Sequence, residues 1–121
     1  MSEDDVLDFA GTLFKSVWAL ELLLALKRRS NRSWKPTEII KELRGSRVVV
    51  TEALANLIAA GLVVEDEGGG YRYHAGSKGM DATVSELEKI YALKPTAVVR
   101  KIITSPSAKL QILSDAFRIK E

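Results

Sequence analysis

The chain of 121 residues is 46% hydrophobic and 28% charged, a composition that fits one soluble domain built around a single core. It has no cysteine and one histidine, so disulfides, thiolate chemistry, sulfur-ligated zinc and histidine-rich metal sites are excluded. The acidic start MSEDDVLD is unlike a secretory signal, and Lys15 and Glu21 interrupt the most apolar run, Phe9 to Leu26, which argues against a membrane span. We therefore expect a single cytoplasmic domain, residues 1–121, with no cofactor and no metal.

The net charge of +2 conceals an uneven distribution of charge along the chain. Between residues 27 and 47 there are eight basic side chains and two acidic ones. The basic residues are Lys27, Arg28, Arg29, Arg32, Lys35, Lys41, Arg44 and Arg47, and the acidic ones are Glu38 and Glu42. This segment predicts a positive side that suits a polyanion, although a solvated basic surface is the alternative.

The first predicted element is one long helix over residues 6 to about 29. Its apolar side chains fall into two stripes at helical spacing. One stripe contains Phe9, Leu13, Val17, Leu20 and Leu24, and the other contains Leu7, Phe14, Trp18, Leu22 and Ala25. A helix packed on one surface needs a single stripe, so the second must be covered by the C-terminal helices or by another copy of the chain. This pattern is our main reason to expect a homodimer.

The second and third predicted helices are joined by a tight turn. Pro36, which needs no backbone N–H, begins a short helix that ends at Leu43. In the turn, Gly45 is expected to take a positive φ and Ser46 to cap the third helix. That helix runs to about Ala60, where the following Gly61 ends it. Its predicted buried face consists of Val50, Leu54, Leu57 and Ile58.

A hairpin and further helices complete the predicted structure. Leu62 to Glu65 and Tyr71 to His74 have the composition of strands, and the glycines between them favour a turn. Capping-box spacing, Thr83 with Glu86 or Ser85 with Glu88, predicts the start of a helix that carries Val84, Leu87, Ile90 and Tyr91. Pro95 and Pro106 are each expected to begin another short helix. The predicted fold class is therefore mainly α with a small β-hairpin.

The segment TEIIKELRGSRVVVTEALANLIAAGLVVED resembles the winged helix-turn-helix superfamily, in which a serine opens the recognition helix and a spaced apolar set ends in Gly-Leu-Val. The matching positions are Ser46, Val50, Leu54, Leu57, Gly61, Leu62 and Val63. The order helix, helix, tight turn, helix, hairpin is also that of the superfamily, and the size is similar to that of small bacterial MarR, PadR and ArsR transcriptional regulators. The likeness implies a winged-helix core at about residues 7–75, and residues 76–121, which match no motif, are interpreted as a helical extension that dimerises.

The resemblance implies a sequence-specific transcriptional regulator that binds double-stranded DNA as a homodimer. The third helix, residues 46–60, would enter the major groove by its N-terminal end, and two copies would bind half-sites about one helical turn apart. Base contacts are expected from Arg47, Thr51 and Asn56, with Val48 against thymine methyl groups. Phosphate contacts are expected from Lys41, Arg44 and Arg72, and Ser46 lies at the start of the helix.

Other features of this segment favour a protein partner instead. Val48 and Val49 have no hydrogen-bond donors and suit the middle of a protein interface as well as they suit thymine. The acidic residues 65–67 on the predicted wing would repel a phosphate backbone, and the wing tip lacks basic side chains. The alternative function is therefore a winged-helix protein–protein interaction module that does not bind DNA directly. Backbone contacts by Arg28, Arg29, Arg32 and Lys35 are an open alternative to simple solvation.

No enzymatic activity is expected. Nucleophilic catalysis needs a base beside a serine or cysteine, and the chain has one histidine, no cysteine and no Gly-x-Ser-x-Gly motif. Residues 76–79 resemble part of a phosphate loop but lack its spacing, and we interpret them as a connector. His74 is interpreted as an ordinary strand residue, and Trp34 as packing beneath a short strand. A small-molecule effector between the first helix and the C-terminal helices is a third alternative that no polar cluster identifies.

Overall fold

The computed structural model describes residues 2–106 and is mainly helical, with a small two-stranded antiparallel sheet. In chain order, the elements are α1 Glu3–Leu13, α2 Val17–Arg28, α3 Pro36–Leu43, α4 Arg47–Ala59, β1 Val63–Glu65, β2 Tyr71–Tyr73, α5 Lys78–Leu93 and α6 Pro95–Ile103. The predicted coarse class, mainly α with a small hairpin, is confirmed. The helix predicted to begin at Pro106 lies outside the described residues apart from its first position.

The prediction of one long N-terminal helix is wrong, because the chain breaks into α1 and α2, which are bent by 108° relative to each other. Phe14 ends α1 with an extended backbone, and the Oγ of Ser16 accepts a hydrogen bond from the N–H of Ala19 to cap α2. No single helix within residues 2–106 is long and apolar enough to cross a membrane, and α1 and α2 reach that composition only together.

The bend explains how both apolar stripes are covered. α1 packs on α5 and α6, while α2 packs on α3, α4, β2 and α6. Of the ten stripe residues only Trp18 is exposed, at 40%. The second stripe is therefore covered within the chain. The C-terminal helices provide part of this cover, which was one of the two predicted alternatives, so the stripe does not require another copy of the chain. Two ion pairs strengthen the contact of α1 with α6: Lys101 lies 2.7 Å from Asp8, and Lys94 lies 3.0 Å from Glu3.

The segment from α3 to α4 follows the prediction closely. Pro36 occupies the first turn of α3, and the Oγ of Ser46 accepts a hydrogen bond from the N–H of Val49, 3.1 Å away. The turn itself differs, because Arg44 and not Gly45 takes the left-handed conformation, with φ 54°. Gly45 has no positive φ, and a Cβ there would lie 3.4 Å from the ring of Trp18, an ordinary packing distance. The predicted burial of Ile58 is also wrong, since 42% of this residue is exposed.

The hairpin forms where it was predicted. Gly61 ends α4 with a φ of +76°, and β1 and β2 pair with Val63 opposite Tyr73 and Glu65 opposite Tyr71. The predicted burial of Trp34 is confirmed, but the residue lies beside the strand that contains Tyr71 and not beneath it. Trp34 is 4% exposed, and it exchanges two backbone hydrogen bonds of 2.7 Å with Tyr71, which adds a third short segment to the sheet.

The C-terminal helices begin at different signals from those expected. α5 starts at Lys78, because the Oγ of Ser77 accepts a hydrogen bond from the N–H of Met80. Both predicted starts near residues 83–85 are wrong. Of the residues 76–79, which were interpreted as a connector, Gly76 and Ser77 precede α5, whereas Lys78 and Gly79 are its first residues. Thr83 is buried within the helix, where its hydroxyl donates to the carbonyl of Gly79. α6 begins at Pro95 as predicted and packs inward through Val98 and Ile102.

Candidate nucleic-acid interface

The N-terminal end of α4 is the most exposed part of the predicted site. α4 buries Val50, Ala53, Leu54 and Leu57 against the rest of the chain, which leaves the opposite arc of the helix to solvent. Arg47, Val48 and Thr51 lie on this arc, and Val48 is 56% exposed. Lys41 and Arg44, at the end of α3 and in the turn, are exposed beside them. We call these five exposed residues, Lys41, Arg44, Arg47, Val48 and Thr51, the α4 surface.

The α4 surface is electrostatically positive. The first turn of α4 contains no acidic residue, and the aligned peptide dipoles place a partial positive charge at this end of the helix. Within residues 2–106, Lys41, Arg44 and Arg47 form no ion pair, so their charges are not offset by a bound carboxylate. Ser46, also exposed, uses its Oγ to cap the helix. The arrangement is suited to an anionic partner.

The structure removes Asn56 from the predicted interface. Only 7% of this residue is exposed, and its side-chain amide is occupied at both ends. The Oδ1 accepts a hydrogen bond from the N–H of Lys15 at 2.9 Å, and the Nδ2 donates to the carbonyl of Leu13 at 2.8 Å. The prediction that Asn56 contacts bases is therefore wrong. Its side chain fastens the turn between α1 and α2 onto α4, a contact that depends on the unpredicted break at residues 14–16.

Arg72 lies on the hairpin, where an ion pair with Asp66 offsets part of its positive charge. It stands opposite Val64 in β2, and its Nε is 3.2 Å from the Oδ1 of Asp66, a residue of the acidic trio on the incoming side. A phosphate contact by Arg72 requires exchange of this ion pair. Burial raises the pKa of Tyr71, and the negative charge of the nearby Glu65, a second acid of the trio, raises it further. One acid of the trio, Asp66, thus has an ion-pair partner within the hairpin.

The exposed face of α4 continues as an apolar stripe that the sequence did not reveal. Val48, Thr51, Ala55, Ile58 and Ala59 are all exposed and recur at helical spacing along one face. From Val48 to Ala59 the stripe is about 16 Å long at the helical rise per residue. It was missed because Ile58 was assigned to the core. The exposed side chains near the N-terminal end of α4 are therefore largely basic, and those further along the helix are apolar.

A metal site finds no support in the described part of the chain. Within residues 2–106, no group of three or more histidine, cysteine, aspartate or glutamate side chains is arranged to hold a metal ion. The chain matches no protein-family model, no curated protein and no solved structure. The geometry of the α4 surface and its surroundings is consequently the basis for any functional inference.

Proposed function

We propose that the chain is a sequence-specific double-stranded DNA-binding transcriptional regulator of the winged helix-turn-helix type. In this proposal α2, α3 and α4 form the helical core, α4 is the recognition helix, and β1 and β2 form the wing. The observation that carries the proposal is the exposed N-terminal end of α4, flanked by three cations without ion-pair partners in residues 2–106: Lys41, Arg44 and Arg47. A duplex carries closely spaced negative charges that such a surface neutralises.

The proposed mechanism inserts the N-terminal end of α4 into the major groove. The groove is about 12 Å wide, close to the diameter of a helix with its side chains. Small exposed side chains, Val48, Thr51 and Ala55, allow close approach to the bases. In this proposal Arg47 would donate two hydrogen bonds to guanine, Val48 would contact a thymine methyl group, and Thr51 would form a hydrogen bond with a base edge or a phosphate. Lys41 and Arg44 would contact the phosphates that border the groove.

We further propose that the regulator is a homodimer, on different grounds from those of the sequence. Leu93 at the end of α5 is 82% exposed, and Ile103 at the end of α6 is 48% exposed. Burying such apolar side chains in a subunit contact would be favourable, because it removes hydrocarbon from water. These two residues support a subunit contact formed by the C-terminal helices, which would leave the α4 surface of each copy free to bind a half-site.

The experiment that tests DNA binding begins with selection of duplexes from a random pool, followed by titration of a selected site. Replacing Arg47 with alanine should cost about 1 to 3 kcal/mol on that site and much less on random duplex, because a base contact carries the sequence preference. Arg100→Ala is the matched control, since Arg100 is exposed on α6, away from α4. Failure to select any sequence, or equal losses on selected and random DNA, contradicts sequence-specific binding through Arg47.

The second candidate function, a protein-interaction module, is favoured by the apolar stripe of α4. Val48, Ala55 and Ile58 place hydrocarbon on a helix face that could dock against another protein. Salt separates the two candidates, because DNA affinity falls steeply as salt rises whereas an apolar contact scarcely responds. The variant Ile58→Ser should leave DNA binding unchanged if only the start of α4 enters the groove, and should abolish docking if the stripe is an interface.

A further inference from the structure

We propose that a depression between the C-terminal end of α2 and the exposed side of α3 binds a phosphate group. It has a volume of about 500 Å³ and is lined by Arg29, Arg32, Trp34, Glu38, Lys41, Glu42 and Arg44. We call it the basic depression. It shares Lys41 and Arg44 with the α4 surface but extends away from α4 to residues that no base contact needs. The proposal rests on the proposed function only for the source of the phosphate, which a DNA backbone would supply.

The indole of Trp34 forms an organised floor for the basic depression. Trp34 is fixed by its two backbone hydrogen bonds to Tyr71, and its ring is covered by arginine side chains. The guanidinium carbon of Arg32 lies 4.0 Å from the ring centroid, and that of Arg29 lies 5.4 Å from it. Cation–π attraction holds both guanidinium groups near the ring. A stacked guanidinium directs its N–H groups outward along its edges, which is the geometry that binds phosphate oxygens.

The charges that line the basic depression do not balance. Arg32 is paired with Glu38, which also accepts a hydrogen bond from the backbone N–H of Lys35 at 3.0 Å. The remaining cations, Arg29, Lys41 and Arg44, have no ion pair within residues 2–106, and Glu42 is the one further carboxylate of the lining. Cations held close together repel one another, and a bound anion removes that repulsion. A phosphate offers several oxygens to this set of donors, more than a carboxylate does.

The matched pair Arg29→Gln and Arg28→Gln tests the proposal. These arginines are consecutive and both exposed, but only Arg29 lines the basic depression. The first probe is inorganic phosphate, added at constant ionic strength to the full chain. We expect a saturable shift of the indole N–H resonance of Trp34, distinguished from that of Trp18 by the variant Trp18→Phe. The shift should need at least tenfold more phosphate in Arg29→Gln, whereas Arg28→Gln should respond as the unaltered chain does.

The second probe is duplex DNA, which separates the two sources of phosphate. If a backbone phosphate occupies the depression, Arg29→Gln should reduce the log–log salt slope of binding by about 0.9, the value for one lost phosphate contact. A response to inorganic phosphate with an unchanged DNA slope assigns the site to a free phosphate-bearing ligand, and also supports the proposal. The proposal is overturned if Arg29→Gln keeps the original DNA slope and phosphate leaves the Trp34 resonance in place. DNA binding through Arg47 would survive that result, so the two failures are distinguishable.

Discussion

Asn56 on α4 donates a hydrogen bond of 2.8 Å to the carbonyl of Leu13, a residue 43 positions earlier that ends α1. Its Oδ1 also accepts the N–H of Lys15, so one side chain satisfies two backbone groups of a turn without regular hydrogen bonding. The turn sets the 108° bend that brings α1 and α2 to the same core. Asn56, a polar residue of the helix proposed to bind DNA, thus stabilises the fold by holding the turn between α1 and α2 against α4.

The first prediction is that Asn56→Ala destabilises the fold without altering the α4 surface. It leaves the N–H of Lys15 and the carbonyl of Leu13 without their partner, and each unsatisfied group costs about 1 to 3 kcal/mol when removed from water. Because the turn is partly buried, we expect a total loss of about 2 kcal/mol in the free energy of unfolding, measured in urea. Thr51→Ala, at an exposed position of the same helix, should change stability by less than about 0.5 kcal/mol. Equal losses in the two variants would contradict the fastening role.

The second prediction concerns Arg44, whose φ of 54° is a conformation that favours glycine. An arginine there is strained, so Arg44→Gly should raise the free energy of unfolding by about 0.5 to 1 kcal/mol after the greater chain entropy of glycine is included. The same change removes a proposed phosphate contact and should weaken DNA binding. Arg44→Ala is the control, because it should weaken binding equally while giving no such stabilisation. Equal stability of the two variants would show that the strain of the positive φ is no larger than the chain-entropy cost of glycine. Unchanged DNA affinity in both variants would exclude the phosphate contact.

The parts of the fold that the sequence predicted are those with local signals. Pro36 begins α3, Ser46 caps α4 and Gly61 ends it, and each residue acts through its own backbone geometry or through neighbours within one helical turn. The wrong helix boundaries also have local signals, but a more conspicuous pattern in the surrounding sequence hid each of them. Ser16 and Ser77 cap α2 and α5, but the first lies within an apolar run and the second beside a glycine-rich segment.

The candidate site was predicted less completely, because exposure depends on distant contacts. The positions of Arg47, Val48 and Thr51 follow from helical spacing once the buried face of α4 is known. Asn56 was predicted to be exposed and is buried, whereas Ile58 was predicted to be buried and is exposed. The turn that buries Asn56 is far away in sequence. The offset of Arg72 by Asp66 likewise depends on the way the hairpin folds back. No local pattern contains that information.

The third prediction tests the proposed dimer through Leu93, which is 82% exposed. If the C-terminal helices form the subunit contact, Leu93→Ser should shift the sedimentation equilibrium of the chain from dimer towards monomer. The free energy of unfolding of the monomer should change little in this variant, because Leu93 is already exposed to water in the monomer. Leu93→Met is the control, since it keeps a large apolar side chain and should preserve the dimer. A chain that sediments as a monomer before any substitution, or a dimer unaffected by Leu93→Ser, contradicts this interface.

The fourth prediction is a loss of stability at alkaline pH that depends on Tyr91. Burial, with a hydrogen bond to Glu21, raises the pKa of Tyr91 to about 12, above the 10.0 of an ordinary tyrosine. A phenol whose pKa is raised by folding contributes its full stabilisation below pH 10, and this contribution is lost as the pH rises from about 10 to about 12. Burial and the hydroxyl hydrogen bond to Asp81 shift the pKa of Tyr73 in the same direction.

The measurement compares the free energies of unfolding of the original chain and Tyr91→Phe across this alkaline range. Phenylalanine does not titrate, so the difference between the two proteins should shrink as the pH rises. Lysine side chains also titrate in this range, but they are the same in both proteins and cancel in the difference. Phenolate absorbance should show the folded chain ionising at higher pH than the chain unfolded in urea. A stability difference that stays constant from neutral pH to about 12 would mean that the hydroxyl of Tyr91 is not protected by the fold.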